Sequence, residues 1–129
     1  MKNILKFIMF IIASTILCIG CSSKKHIGEW KGTNRGHQIS LILDNTNHAV
    51  IIMDNKAWGG KEFVQEGKTL ECKYEIDYSI NPMSLDFVIY DKADGLEMDR
   101  IKTTIKFITD TKIEYTTLDG TMILDKQSK

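Results

Sequence analysis

Charge of one sign, helical periodicity, catalytic signatures and long apolar runs are all missing from the body of this 129-residue chain. It carries 17 basic and 17 acidic side chains, so it has neither the basic footprint of a nucleic-acid binder nor a polybasic lipid-binding surface. Beyond the N-terminal region no segment shows an apolar stripe at helical spacing, which leaves strands as the means of burying a core. No nucleophile elbow, H-E-x-x-H pair or phosphate-cradling glycine loop occurs. Carboxylates are plentiful, but they alternate with apolar residues as outward strand positions do; no catalytic residue is assigned and no cofactor is expected. No internal repeat or low-complexity run divides the chain. Proline occurs once, at Pro82, and cysteine only at Cys18, Cys21 and Cys72.

The longest apolar run is at the N-terminus. Met1-Lys2-Asn3 precede a stretch from Ile4 to Gly20 whose one charge is Lys6. Its uninterrupted part, Phe7 to Gly20, is shorter than the roughly 20 residues of a spanning helix. A basic start, an apolar middle and a small residue before a cut mark a removed export signal. Gly20-Cys21 followed by Ser22-Ser23-Lys24-Lys25 resembles the bacterial lipoprotein cleavage box, with Cys18 where leucine is usual. That resemblance implies loss of residues 1–20 and a diacylglycerol, with palmitate-like chains, on the Cys21 sulfur. Two or more acyl chains hold a protein stably on a bilayer, since each buried CH₂ contributes about 0.8 kcal/mol. The C-x-x-C of Cys18 and Cys21 then spans the cut, and Cys72 is the one remaining thiol, so the fold rests on its core. Residues 21–26 read as a lipidated tether and 27–129 as one domain. Loss of Lys2 and Lys6 leaves 15 basic against 17 acidic side chains. The expected location is the bacterial cell envelope, and the absence of aspartate after Cys21 leans toward the outer membrane, facing the periplasm or the cell surface.

Past the tether the pattern has period two, with turn residues at short intervals. "HQISLIL" places Ile39, Leu41 and Leu43 on one face, "DNTN" turns from Asp44 to Asn47, and "HAVIIM" returns with Val50 opposite Leu41 and Ile52 opposite Ile39. "DNKAWGG" reads as a loop or bulge, followed by a short strand around Phe63 and a turn at "QEGK". "TLECKYEID" turns Leu70, Cys72, Tyr74 and Ile76 inward; "NPMSLDFVIY" does the same for Met83, Leu85, Phe87 and Ile89, with Pro82 ahead of the ladder. "IKTTIKFI", "KIEYTTL" and "TMILD" complete the series, the last two joined through Asp119-Gly120, a hairpin signal. The expected fold is all-β: eight or nine short antiparallel strands in a meander, the strand number of a small up-and-down barrel.

Two stretches carry a family resemblance. "GEWKG" (Gly28 to Gly32) matches the G-x-W that opens lipocalins, and "YEIDYSINPMSLDFVI" is similar to the Tyr-x-Ile-Asp, Asn-Pro and Asp pattern of small bacterial lipocalin-like domains, many of them lipoproteins. The resemblance implies that Gly28 and Trp30 close one end of the barrel, with an arginine over the indole, for which Arg100 is the candidate. It also implies an apolar small molecule as ligand. A helix flanking the last strand, usual in lipocalins, is not recognisable here.

The inward residues Tyr74, Met83, Phe87, Phe107 and Tyr115 are either plain core or, if a cavity exists, its lining. Trp58, beside Gly59-Gly60, is a rim or cap residue. Ile42, Ala49, Ile51 and Met53 fall on the outer face of the first hairpin and form an apolar patch for a partner, a second copy or the bilayer surface. His37 and His48 lie at opposite ends of that hairpin, on the order of 20 Å apart, and no metal site is assigned. Asp91, Asp94, Glu97 and Asp99 lack the glycine and glutamate spacing of a calcium loop. Two functions remain open: non-catalytic binding of a small apolar molecule or lipid inside a membrane-anchored barrel, or an envelope protein-interaction module with a solid core.

Overall fold

The computed structural model describes residues 25–128. Ten strands follow one another: β1 (Gly28–Asn34), β2 (His37–Leu43), β3 (Ala49–Met53), β4 (Lys56–Gly59), β5 (Phe63–Gln65), β6 (Lys68–Asp77), β7 (Met83–Asp91), β8 (Glu97–Thr109), β9 (Lys112–Thr117) and β10 (Gly120–Lys126). They form one antiparallel sheet in the order β4-β3-β2-β1-β10-β9-β8-β7-β6-β5. This is the expected all-β meander, with more strands than the pattern suggested. The addition comes from Asp54-Asn55. Both residues have positive φ (49° and 69°), the geometry of a two-residue hairpin turn whose twist suits the flanking strands, so "DNKAWGG" is a tight turn and a strand, not a loop.

Two joints close the sheet into a near-barrel. β1 and β10 meet at Trp30↔Lys126 and Lys31↔Asp125, reinforced by Gln127 N–H donating to the Glu29 carbonyl at 2.8 Å. The free edges, β4 and β5, are consecutive in sequence and face each other across a seam. At one end, a His48↔Lys73 bridge pulls β3's approach onto β6. Gly60 continues the joint, donating to the Ala49 carbonyl at 2.7 Å and accepting from Cys72 N–H at 2.9 Å. His48 Nε2 bonds Glu71 Oε2 at 2.5 Å across the same joint, and this bond holds the Glu71 carboxyl below the usual carboxylate range. Further along, Trp58 spans the seam: its indole N–H donates to Gln65 Oε1 at 2.8 Å and its ring meets Phe63 edge-on at 5.2 Å.

Alternation sends one residue in two to the interior. Trp30, Leu41, Leu43, Leu85, Phe87, Ile105, Ile113 and Leu124 are fully buried there. Each such side chain contributes roughly 1.5–3 kcal/mol on leaving water. Cys72 sits among them, and burial pushes its thiol up to about 12, which makes it a core residue and not a nucleophile. The turns at 35–36, 54–55, 66–67, 92–96 and 118–119 gather at one end, the mouth; the turns at 44–48, 78–82 and 110–111 and both ends of the described chain gather at the other, the floor.

Candidate functional site

The floor is built around Trp30. Its side chain is fully buried, meets Phe107 edge-on at 6.0 Å, and donates its indole N–H to the His26 carbonyl at 2.9 Å. The cation over the indole is Lys126, 5.5 Å from the ring, and not Arg100. Arg100 lies on the outer face, donating to Glu75 at 2.7 Å, Asp86 at 3.1 Å and Glu97 at 3.1 Å. Register explains this: Arg100 pairs with Val88, off the inward row of Phe87 and Ile101, whereas Lys126 pairs with Trp30 itself. Gly28 leaves room for the Lys126 stem, since a Cβ there would lie 2.7 Å from its Cε. His26, read from sequence as the last tether residue, is a buried part of the floor.

The mouth opens into a cup of about 380 Å³ lined by residues of β1–β3 and β7–β10 and of the β9–β10 turn. Its base is made of Ile39, Phe87, Thr103, Tyr115 and Met122, all buried. Ile51 and Ile101 form the walls, and Met53 and Leu118 the rim. Leu118, at the tip of the β9–β10 turn, is fully solvent-exposed. The charged neighbours, Lys102 and Asp119, are exposed side chains at the edge. At the base the polar side chains are two hydroxyls. Thr103 donates to the Leu85 carbonyl at 2.6 Å; burial raises the Tyr115 phenol to about 12, with Thr103 opposing the shift, so Tyr115 is neutral at ordinary pH. Below this layer the barrel is filled by its own side chains. A larger depression, about 770 Å³, lies outside the floor between Ile27, Ile42 and Lys126; it is edged by Glu29 and Asp44 and adjoins both ends of the described chain.

The expected lining residues divide between the two ends. Phe87 and Tyr115 line the cup. Tyr74 belongs to the floor, where its hydroxyl donates to the Asp44 carbonyl at 2.7 Å. Phe107 packs on Trp30, and Met83, opposite Ile105, packs against the core outside the cup. Trp58 fills the β4–β5 seam and is not among the residues that line the cup. The apolar patch requires correction. The β2–β3 connection spans five residues, Asp44 to His48, and pairs Leu43 with Ala49, Leu41 with Ile51 and Ile39 with Met53. A one-residue change in register exchanges the two faces of a strand, so Ala49, Ile51 and Met53 turn inward. Ile42 faces out, beside Val50, and Ile52 points the same way; all three are half-buried. Cys21 lies outside the described residues.

The two remaining histidines are engaged at opposite ends. His37 Nδ1 bonds Asp54 Oδ2 at 2.6 Å at the mouth, while His48 serves the seam. Among the described residues, no three His, Cys, Asp or Glu side chains are arranged to hold a metal ion. Ile51, Thr103 and Met122 are cup residues that the sequence reading missed. The alternation of "IKTTIKFI" and "TMILD" puts Thr103 and Met122 in line with inward neighbours; Ile51 carries no such signal. Comparison with protein families, curated proteins and solved structures returns no match.

Proposed function

We propose that this protein is a membrane-anchored, non-catalytic binder that receives the apolar part of a small molecule or lipid in the mouth of its barrel. The observation that carries the reading is the cup itself: about 380 Å³, within the size range of small-ligand sites, apolar-walled, and placed where a barrel ordinarily takes a ligand. Its base holds hydroxyls and no charge. Burying an isolated carboxylate or ammonium there costs several kcal/mol, so the end that enters is uncharged, with the Tyr115 hydroxyl as donor or acceptor and Thr103, whose proton goes to the Leu85 carbonyl, as an acceptor. The export signal and the lipoprotein box at Cys21 support anchoring at the bacterial envelope. A second reading, an interaction module, draws on the exposed apolar residues at the mouth end, among them Leu96, Met98 and Leu118.

Native mass spectrometry of protein purified from its own cells in mild detergent is expected to show a retained neutral small molecule, and added dodecanol is expected to bind. Ile51→Glu places a carboxylate in the cup wall and is expected to weaken dodecanol binding at least about tenfold, the worth of roughly 1.4 kcal/mol. Wild-type protein that retains nothing and ignores dodecanol would transfer the argument to the interaction reading. Labelled palmitate is expected to enter the wild-type chain and not Cys21→Ser.

A further inference from the structure

His26 sits in a hydrogen-bond network that ties the chain's entry into the barrel to four other parts of the floor. Its carbonyl accepts from Trp30. Its Nε2 contacts the Tyr74 hydroxyl of β6 at 3.0 Å, and its Nδ1 contacts the Tyr78 hydroxyl in the β6–β7 turn. Tyr74 spends its one proton on the Asp44 carbonyl of the β2–β3 loop, so towards His26 it can only accept. The neutral imidazole therefore carries its proton on Nε2, and Nδ1 accepts from Tyr78. One tautomer satisfies every partner.

We propose that His26 is an acid-released latch: neutral, it pins the segment entering the barrel to the floor; protonated, it lets that segment leave while the sheet stays folded. A second proton must go to Nδ1, where Tyr78 now donates, and its charge must be held among buried rings. The ionised group acting on the ring is Lys126 of β10, of the same sign. Asp44 acts on Tyr74, and the Asp110 carboxylate of the β8–β9 turn pairs with Lys25 at 3.3 Å, so neither compensates the imidazolium. Burial, with Lys126 adding to it, lowers the imidazole's pKa. Burial also raises both phenols, Tyr74 to about 12, which keeps them neutral. The sign follows from linkage. Between the lowered value and the ordinary one of about 6.5, the released ring binds a proton that the latched ring does not. The latch is at full strength above that window and weakens about tenfold per pH unit on acidification through it.

The test uses the full chain in detergent with Trp58→Phe, which leaves Trp30 as the one remaining tryptophan of two. From about pH 8 to about pH 5, a range that brackets imidazole titration, Trp30 emission is expected to shift to the red with a one-proton midpoint below the ordinary value. The strand circular-dichroism signal should not change over the same range. His26→Gln should abolish the step. Tyr78→Phe, which removes the donor to Nδ1, should move the midpoint to higher pH. Constant emission, loss of the strand signal at the same midpoint, or a step that persists in His26→Gln overturns the latch. Should His26→Gln fail to fold, ring ¹⁵N shifts in the otherwise unaltered chain decide: the Nε2–H tautomer above the step, and protonation coincident with the Trp30 change, are required.

Discussion

Replacing Trp30 by alanine is expected to remove about 3–5 kcal/mol of stability, the cost of deleting a buried tryptophan whose site cannot collapse. Against the 5–15 kcal/mol that holds a typical domain together, the variant should unfold at a far lower urea midpoint or fail to accumulate. The indole is held by Phe107 edge-on to its ring, by the His26 carbonyl on its N–H and by Lys126 over its face. The loss also reaches beyond packing: the His26 carbonyl loses its donor and Lys126 loses the ring beneath it. Lys126→Met separates these contributions, since a half-buried cation over an aromatic face contributes about 0.5–2 kcal/mol. Equilibrium urea unfolding followed by circular dichroism measures both. A Trp30→Ala midpoint within error of the wild type would remove the indole from its structural role.

Gly59→Ala is expected to be nearly as damaging for an unrelated reason. Gly59 has φ of +103°, and a Cβ on it would lie 2.5 Å from the Ala49 carbonyl oxygen and 3.4 Å from Cys72 Cβ. The disfavoured backbone region costs about 1–3 kcal/mol, and crowding against backbone that cannot move aside adds about 1–3 kcal/mol. The next residue, Gly60, carries the two backbone bonds that join β3 to β6, so strain at Gly59 is delivered to the joint that nearly closes the sheet. Gly36→Ala is the control. It shares a positive φ, +83°, with nothing within 4 Å of the added carbon, and should show the backbone cost alone. Thermal midpoints of the two variants should therefore differ by several degrees; equal midpoints would mean that β3 and β6 shift apart freely.

How much of this was legible before the fold depended on where polar residues punctuate the chain. "TLECKYEID" alternates charge with bulk, and Leu70, Cys72 and Tyr74 are buried as that pattern requires. "AVIIM" holds no polar residue to mark an outer face, so its parity rested on the length of the loop before it, and a fifth loop residue reversed it. Position 120 illustrates a smaller slip. The glycine expected in the β9–β10 turn is the first residue of β10, opposite Thr117, so Leu118 and Asp119 form the tip. His26 gave no local signal at all, because its burial depends on Tyr74 and Tyr78, about 50 positions away. The cup was legible as a row of inward residues but not as a space. A cavity is what remains after distant strands have filled the interior, and Phe107 and Met83 are used up in filling it.

Chain entry through the floor has a directional consequence for an acylated Cys21. Five peptide units separate that residue from His26, a reach of at most about 18 Å, whereas β6 alone runs ten residues, roughly 33 Å of strand. A domain anchored in the way proposed above would keep its floor next to the lipid, on a leash shorter than the barrel wall. Turning the opening face-down into the same leaflet would need a longer leash than this, so the proposed ligand would reach the cup from solution, from a facing membrane, or from a carrier that docks from above.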